Sequence, residues 1–476
     1  MMRILRYAMP LAAMLLVWVL PVPEGLTQNA MLYLGIFLGV VVGLILEPLP
    51  GAVVGLIGIA LAATMMVIPA PGGEPGNLKS SVRWALSGFS NATVWLMFVA
   101  FMFAMGYEKT GLGKRIALYL IKMLGKTALG IGYAVSLADF VLAPFIPSST
   151  ARGGGTIFPI VRNIPPVYGS LPDSEPRKIG AYVMWTGVCA TSITSSLFLT
   201  GLAPNLMALS IAKESVDVVI TWQEWFIAML PAGGLLVLLT PLLIYFLYPP
   251  TEKKFPDIPD WASRELTAMG PITVKEILMA LLALSALIMW VFGTKLIDST
   301  LVSIVVFCLM LILRIVTWDQ VTSNKQAWNT FCWFGTLVTL AGGLAQVGFL
   351  KWFAAYCTTL MEGLPPMGIA FGLLVLLYFS HYFFAGVTAH AAAMMALLFT
   401  AGLGIPGMDM KYFVMFLCGS LGIMGILTPY GAAQNTIYYG AGYIKGSTFW
   451  TLGAVFGVIF FVVYTVFALF WMPLVM

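Results

Sequence analysis

Apolar runs of membrane-crossing length, set apart by short polar stretches, follow one another along almost the whole chain. A helix needs about 20 apolar residues to cross the hydrocarbon core of a bilayer. Eleven runs reach or approach that length: 7–22, 30–47, 52–69, 86–107, 179–212, 223–248, 276–293, 300–315, 329–350, 411–443 and 450–474. Two more, 128–161 and 366–402, are too long for one crossing, and the first is interrupted by Pro144, Pro147 and Gly153 to Gly155. Each predicts a helix–break–helix that enters and leaves on one side. Such a re-entrant hairpin is tolerated where its broken backbone lies in protein or a wet cavity. Segments 179–212 and 411–443 also exceed a straight span and predict helices unwound near Asn205 and Asn435. The basic, part-apolar segment 108–124 predicts an amphipathic helix at the interface. The pattern therefore reads as an all-α polytopic membrane protein with about eleven transmembrane helices plus two re-entrant hairpins.

Three short patterns recur in the same order. Gly111-x2-Lys114-x4-Tyr119 returns as Gly348-x2-Lys351-x4-Tyr356, and Thr150-Ala151-Arg152 returns as Thr388-Ala389-His390. Gly201-x-Ala203-Pro204-Asn205 returns as Gly431-Ala432-Ala433-Gln434-Asn435. The polar stretch 249–275 separates the two copies and reads as a cytoplasmic linker. An odd number of spans lies between Thr150 and Thr388, which turns the second copy over and makes the repeat inverted. Inverted repeats with broken helices mark secondary transporters, whose substrates bind near the midplane where the repeats meet. No GxxxxGK[ST] loop for ATP is present.

Composition narrows the class. Only 9% of the 476 residues are charged, against about 25% in a soluble domain, so most of the surface must face lipid. Nucleic-acid binding, a secreted disulfide scaffold and disorder are excluded. Cys189, Cys308, Cys332, Cys357 and Cys418 all stand in apolar segments without a CxxC pair and read as buried small hydrophobes. The two histidines, His381 and His390, are too few for a zinc or haem site, and no metal or cofactor is expected. Positive charge sets orientation. With Arg3 and Arg6 inside, Lys79, Arg83, Lys213, Lys295, Lys351 and Lys411 fall outside. Arg152 lies within the first hairpin, and the other seventeen of the 24 basic residues fall inside.

The tip of the first hairpin, Pro147-Ser148-Ser149-Thr150-Ala151-Arg152-Gly153-Gly154-Gly155, gathers hydroxyls, freed backbone amides, glycines and a cation. These are the parts of an anion site; the plainer alternative is a packing turn. A charge inside a membrane costs at least ~2.5–3.5 kcal/mol on insertion scales and marks function by default. For Arg152 the structural alternative is a counter-ion for Asp139, ~7.5 Å below the break at 1.5 Å rise per residue. His390 holds the corresponding position in the second copy, whereas His381 has no such claim and reads as structural. Thr200, Asn205, Thr428 and Asn435 at the two unwound segments offer polar groups to a substrate or ion, the alternative being interhelical hydrogen bonds.

The block Ala138-Asp139-Phe140-Val141-Leu142-Ala143-Pro144, the run PSSTARGGG and the run LTPYGAAQN resemble the divalent anion/sodium symporter family of carboxylate transporters, over essentially the whole chain. The chain is most similar to the exchanger branch, which includes citrate/succinate and tartrate/succinate antiporters and plastid 2-oxoglutarate/malate translocators. The resemblance implies a homodimer of eleven-span protomers with two re-entrant hairpins, and a transport domain that moves like an elevator against a scaffold. It divides the chain into scaffold at 1–126, transport domain at 127–248, linker at 249–275, scaffold at 276–363 and transport domain at 364–476. The family's Ser-Asn-Thr signature falls on Ser148-Ser149-Thr150 and Gly386-Val387-Thr388. Both asparagines are replaced, and an apolar Val gives a hard cation no side-chain oxygen, which argues against Na+ at the second hairpin.

The resemblance thus implies a bacterial inner-membrane exchanger of di- or tricarboxylates such as succinate, malate, 2-oxoglutarate, citrate or tartrate, with its N-terminus cytoplasmic. Its partners are carboxylate dianions, the lipid bilayer and a second copy. Ser148, Ser149, Thr150, Thr388, Asn205 and Asn435 are expected to bind substrate by hydrogen bonds, and Arg152 by charge. His390 would carry added charge below about pH 6.5. Fixed cations at Arg152 and His390 would make an empty transport domain costly to move, and a bound dianion would neutralise them, giving obligate exchange. The alternatives are a Na+-coupled symporter of the same acids and, more remotely, a membrane-embedded enzyme or a channel.

Overall fold

The computed structural model describes residues 2–46, 48–70, 74–293 and 295–476, without the side chains of residues 2–5. Glu47, closing the expected 30–47 span, and the Arg3 side chain lie outside the described residues. The regular structure of the described residues is helical, and extended pairing is limited to two isolated bridges, Thr127 with Lys254 and Leu171 with Ser174.

Among the described residues, Gln28–Leu46, Trp222–Leu247, Val274–Phe292, Pro366–Phe383, Met410–Leu427 and Gly446–Phe470 are long and apolar enough to cross a membrane. Lys325–Gln346 and Phe349–Met361 pass together as a pair bent by 66°. Arg6–Val19, Gly51–Thr64, Ala128–Leu142, Ser299–Ile312 and Val387–Leu403 are apolar but shorter. Two of the long helices carry exposed apolar stripes at helical spacing: Ile277, Leu281, Leu284 and Ile288, and Val455, Val458, Val462 and Val466. Contiguous apolar surface of this kind is unfavourable in water and at ease in hydrocarbon. The same outward facing corrects one expectation. Cys308 is exposed and Cys332 half-exposed, while the other three cysteines are buried and all five are free thiols.

The long segments break where prolines and glycines stand. In the first hairpin, helix Ala128–Leu142 gives way to a turn carrying Pro144 and Pro147, then to a wide π-type helix, Thr150–Ile157, continued by Phe158–Val161. A proline has no N–H to continue a helix and clashes with the preceding turn. The second hairpin runs Pro366–Ser380, a tight turn at His381–Phe383, then Val387–Leu403. The other two breaks fall between Gly180–Leu197 and Ala203–Val216, and between Leu421–Met424 and Ala433–Gly440.

Identical backbone devices hold the repeats. Asn205 Nδ2 donates to the carbonyls of Ser195 at 2.7 Å and Phe198 at 3.3 Å, ten and seven residues back. Asn435 Nδ2 donates to Gly425 at 2.7 Å and Thr428 at 2.9 Å, over the same reach. These carbonyls belong to interrupted helix ends, which leave acceptors without a partner in the ladder. Gly111 and Gly348 stand at φ +77° and +79° just before helices Leu112–Leu124 and Phe349–Met361, in the left-handed region that favours glycine. The stretch 249–275 contains helix Ile258–Ala268, tied to Leu112–Leu124 by Lys114–Glu265 at 3.3 Å; the buried pair Arg115–Glu276 at 2.8 Å closes its far end.

Candidate functional site

A cavity of about 370 Å3 brings the repeated elements together. Its walls include Pro147, Ser148, Ser149 and Thr150 of the first tip and Ala385 to Ala389 of the second. Leu202, Ala203 and Pro204 at one break and Ala432 and Ala433 at the other complete that side. Four helices therefore begin at this cavity: Thr150–Ile157, Val387–Leu403, Ala203–Val216 and Ala433–Gly440. All four turn the positive end of a dipole toward it. Val387–Leu403 and Ala433–Gly440 also bring first-turn N–H groups without a partner among the described residues, whereas Ala203 N–H is bonded to the Pro147 carbonyl at 2.9 Å and Asn205 N–H to that of Leu202 at 3.1 Å. Ser149, Thr150 and Thr388 add hydroxyls that bond to no other described residue, while Ser148 Oγ accepts from Ala151 N at 3.2 Å. Among the described residues no charged side chain lines the cavity. A further wall comes from helix Lys325–Gln346, through Gln326, Asn329, Thr330 and Trp333. Sequence reasoning missed this wall, and its only signal was polar spacing along one helix face.

Arg152 is elsewhere. Its side chain is fully buried behind the first tip and every guanidinium nitrogen is engaged. Nε donates to Asp139 Oδ2 at 3.1 Å, and Nη1 to the carbonyls of Ile146 at 2.6 Å and Gly201 at 2.7 Å. Nη2 reaches Ser195 Oγ at 2.9 Å, Thr194 Oγ1 at 3.2 Å and the Thr191 carbonyl at 3.4 Å. Asp139 in turn accepts from Thr191 Oγ1 at 3.0 Å and from Thr194 Oγ1. Arg152 is expected from the sequence to donate charge to a carboxylate; in this arrangement its guanidinium is fully bonded and neutralised and has no donor left over for a ligand. Asp139 is its partner, the pairing that the structural alternative named. Together they tie the first hairpin to the first helix break.

The second tip does the same job with imidazoles. His381 Nε2 bonds to the Gly431 carbonyl at 2.9 Å, and the two Nδ1 atoms of His381 and His390 lie 3.1 Å apart. A carbonyl can only accept, so His381 Nε2 carries a proton. His390 Nε2 meets Ser380 Oγ at 3.0 Å, and Phe384 stacks on its ring at 4.2 Å. His390 is buried and does not line the cavity, so it is not a direct ligand in this arrangement. His381, read as merely structural, is the link that joins it to the break.

The remaining expected residues divide. Gly386 and Thr388 line the cavity with the three first-tip hydroxyl residues. Thr200 Oγ1 donates to the Pro144 carbonyl at 2.6 Å and accepts from Trp222 Nε1 at 3.1 Å, a strut between break and hairpin. Asn205 and Asn435, expected to bind substrate by hydrogen bonds, direct their Nδ2 groups onto the backbone of the breaks and do not line the cavity. Their Oδ1 atoms, and Thr428 Oγ1, are buried with no hydrogen-bond partner among the described residues.

This arrangement can be set beside known proteins. The family model described as the sodium:sulfate symporter transmembrane region matches residues 1–476. The L-tartrate/succinate antiporter of Escherichia coli (strain K12) is 45% identical over 478 residues, covering 99% of this chain and 98% of that protein. A protein of the same description in Shigella flexneri matches equally, at 45% and the same coverage. Among solved structures, the Alcanivorax borkumensis YdaH transporter aligns with a TM-score of 0.59 at 14% identity, over 93% of this chain and 98% of that one. The Neisseria gonorrhoeae MtrF efflux pump aligns at 0.57 and 15%, over 94% and 96%. The last two likenesses show the fold alone. On the family match and the full-length relatives together, the chain belongs to the sodium:sulfate symporter transmembrane family, the divalent anion/sodium symporters, and is a multi-pass membrane transport protein.

Proposed function

We propose that the protein exchanges dicarboxylates, L-tartrate and succinate being the first pair to test, across a bacterial inner membrane. The single observation that carries the reading is the cavity where two hairpin tips and two helix breaks meet, presenting four helix N-termini and the hydroxyls of Ser149, Thr150 and Thr388. Four dipole ends of the same sign give the site a positive field, opposite in sign to a dianion. A dianion bound there neutralises that field, whereas an empty site carries it bare through a low-dielectric layer. Return of the loaded carrier is then the easier path, and exchange follows without a fixed cation at Arg152. The full-length relatives named as antiporters support the same direction.

The hairpins are re-entrant and the two halves inverted in this reading. A transport domain (127–248 and 364–476) travels in elevator fashion against a scaffold (1–126 and 276–363), and the protein works as a homodimer. Two further cavities adjoin the site. One of about 470 Å3 shares Phe101 and Gln326 with it, and one of about 330 Å3 shares Glu108, Gly155 and Thr156 with the second. They are lined by Lys109, Lys114 and Arg162, residues assigned by charge to the cytoplasmic side, which supports an inward-open arrangement in this reading.

Reconstituted protein tests the reading. Uptake of labelled succinate should require L-tartrate or succinate inside the vesicles and ignore a Na+ gradient. A second reading, Na+-coupled symport, draws support from the buried, unpartnered Oδ1 atoms of Asn205 and Asn435. Na+-driven uptake into vesicles without internal acid would establish it instead.

A further inference from the structure

Helix Lys325–Gln346 carries Gln326, Asn329, Thr330 and Trp333 at positions i, i+3, i+4 and i+7, one continuous face. All four line the same cavity as the hairpin tips. The buried threonines further along the helix are satisfied within the protein. Thr336 Oγ1 donates to the Trp333 carbonyl at 2.8 Å, and Thr339 Oγ1 to Gly335 at 3.1 Å while accepting from Gly88 N at 3.0 Å. Within the cavity the situation reverses. Thr330 Oγ1 donates back to the Gln326 carbonyl at 2.7 Å and keeps only acceptor capacity, and the side-chain amides of Gln326 and Asn329 bond to no described residue.

The two walls differ in what they can recognise. The tips and helix N-termini supply N–H and O–H donors, which suit carboxylate oxygens. The amides of Gln326 and Asn329 offer an acceptor oxygen beside each donor nitrogen. The acceptor half is wasted on a carboxylate, which has no proton to give, but it pairs with a hydroxyl, which both gives and takes a hydrogen bond. Resting on the dicarboxylate reading, we propose that Gln326 and Asn329 are specificity-determining residues that read hydroxyl groups carried between the two carboxylates. This wall would favour hydroxylated diacids over their deoxy counterparts.

The test is equilibrium binding of L-tartrate and succinate to the purified full-length protein and to Asn329→Leu, Gln326→Met and Asn329→Asp. Loss of one hydrogen bond to a neutral hydroxyl should weaken L-tartrate by about threefold to tenfold in Asn329→Leu or Gln326→Met. Succinate should stay within about twofold. Asn329→Asp, which sets a carboxylate against the ligand, should weaken both acids. Equal weakening of both acids by Leu and Met, or no change at all, would overturn the inference while leaving the dicarboxylate reading intact. So would indifference of both acids to Asn329→Asp, since that side chain would then not face the ligand. Binding of neither acid by the unaltered protein would overturn the reading and the inference together. Both positions are exposed, and the two independent apolar variants guard against one that fails to fold.

Discussion

The two hairpin tips solve one problem with different chemistry. Each must hold its turn against an unwound helix break, and each does so through a glycine carbonyl, Gly201 in the first half and Gly431 in the second. At the first tip the donor is Arg152, buried and neutralised by Asp139; at the second it is His381, backed by His390. The Asn205 and Asn435 staples, by contrast, are alike in partner spacing. What repeats is the backbone architecture; the side chains around it have diverged. The comparison also shows that a charge buried in a membrane protein need not face a ligand. Its cost can be offset by a partner carboxylate and a shell of carbonyls, in the service of holding a turn.

The largest effect should come from breaking the first tip. Asp139→Asn leaves Arg152 buried without its counter-charge, a loss of about 3–5 kcal/mol. Thermal unfolding in detergent should show it, and Arg152→Met combined with Asp139→Leu should recover a large part. At the second tip, His381→Phe removes bonds between neutral groups and strands the Gly431 carbonyl, at a cost of about 1–3 kcal/mol. Equal losses at the two tips would erase the distinction between an ionic and a neutral clasp. The smallest effects belong to the shared devices. Asn205→Ala and Asn435→Ala should each cost about 1–2 kcal/mol and agree with one another within error; a staple that mattered in one half only would break the symmetry.

Much of this architecture was legible in the sequence. Pro144, Pro147 and the Gly153 to Gly155 run located the first hairpin's break, and lengths beyond one span located the breaks near Asn205 and Asn435. The paired Gly111 and Gly348 marked the same left-handed entry to a new helix. Yet 329–350 read as one straight run, because apolarity continues through a bend that only Gly348 signals. Within the site, residue types were legible and directions were not. Arg152 and Asp139 could be seen as partners or as ligand and bystander, since one-dimensional spacing allows both. Ser148, Ser149, Thr150, Gly386 and Thr388 do line the cavity, whereas Asn205 and Asn435 turn their amides onto the backbone. The convergence of four helix N-termini involves residues such as Ala203 and Ala433, whose side chains carry no chemical signal at all.

The central claim is that dicarboxylates are held by tip hydroxyls and helix N-termini, with no cationic side chain in contact. Titration of the purified protein with succinate, before and after Thr150→Val together with Thr388→Val, tests it most directly. Loss of two hydrogen bonds to a charged ligand should weaken binding by about a hundredfold or more, with the protein still folded. An unchanged dissociation constant in the double variant would contradict the account and place the carboxylates elsewhere.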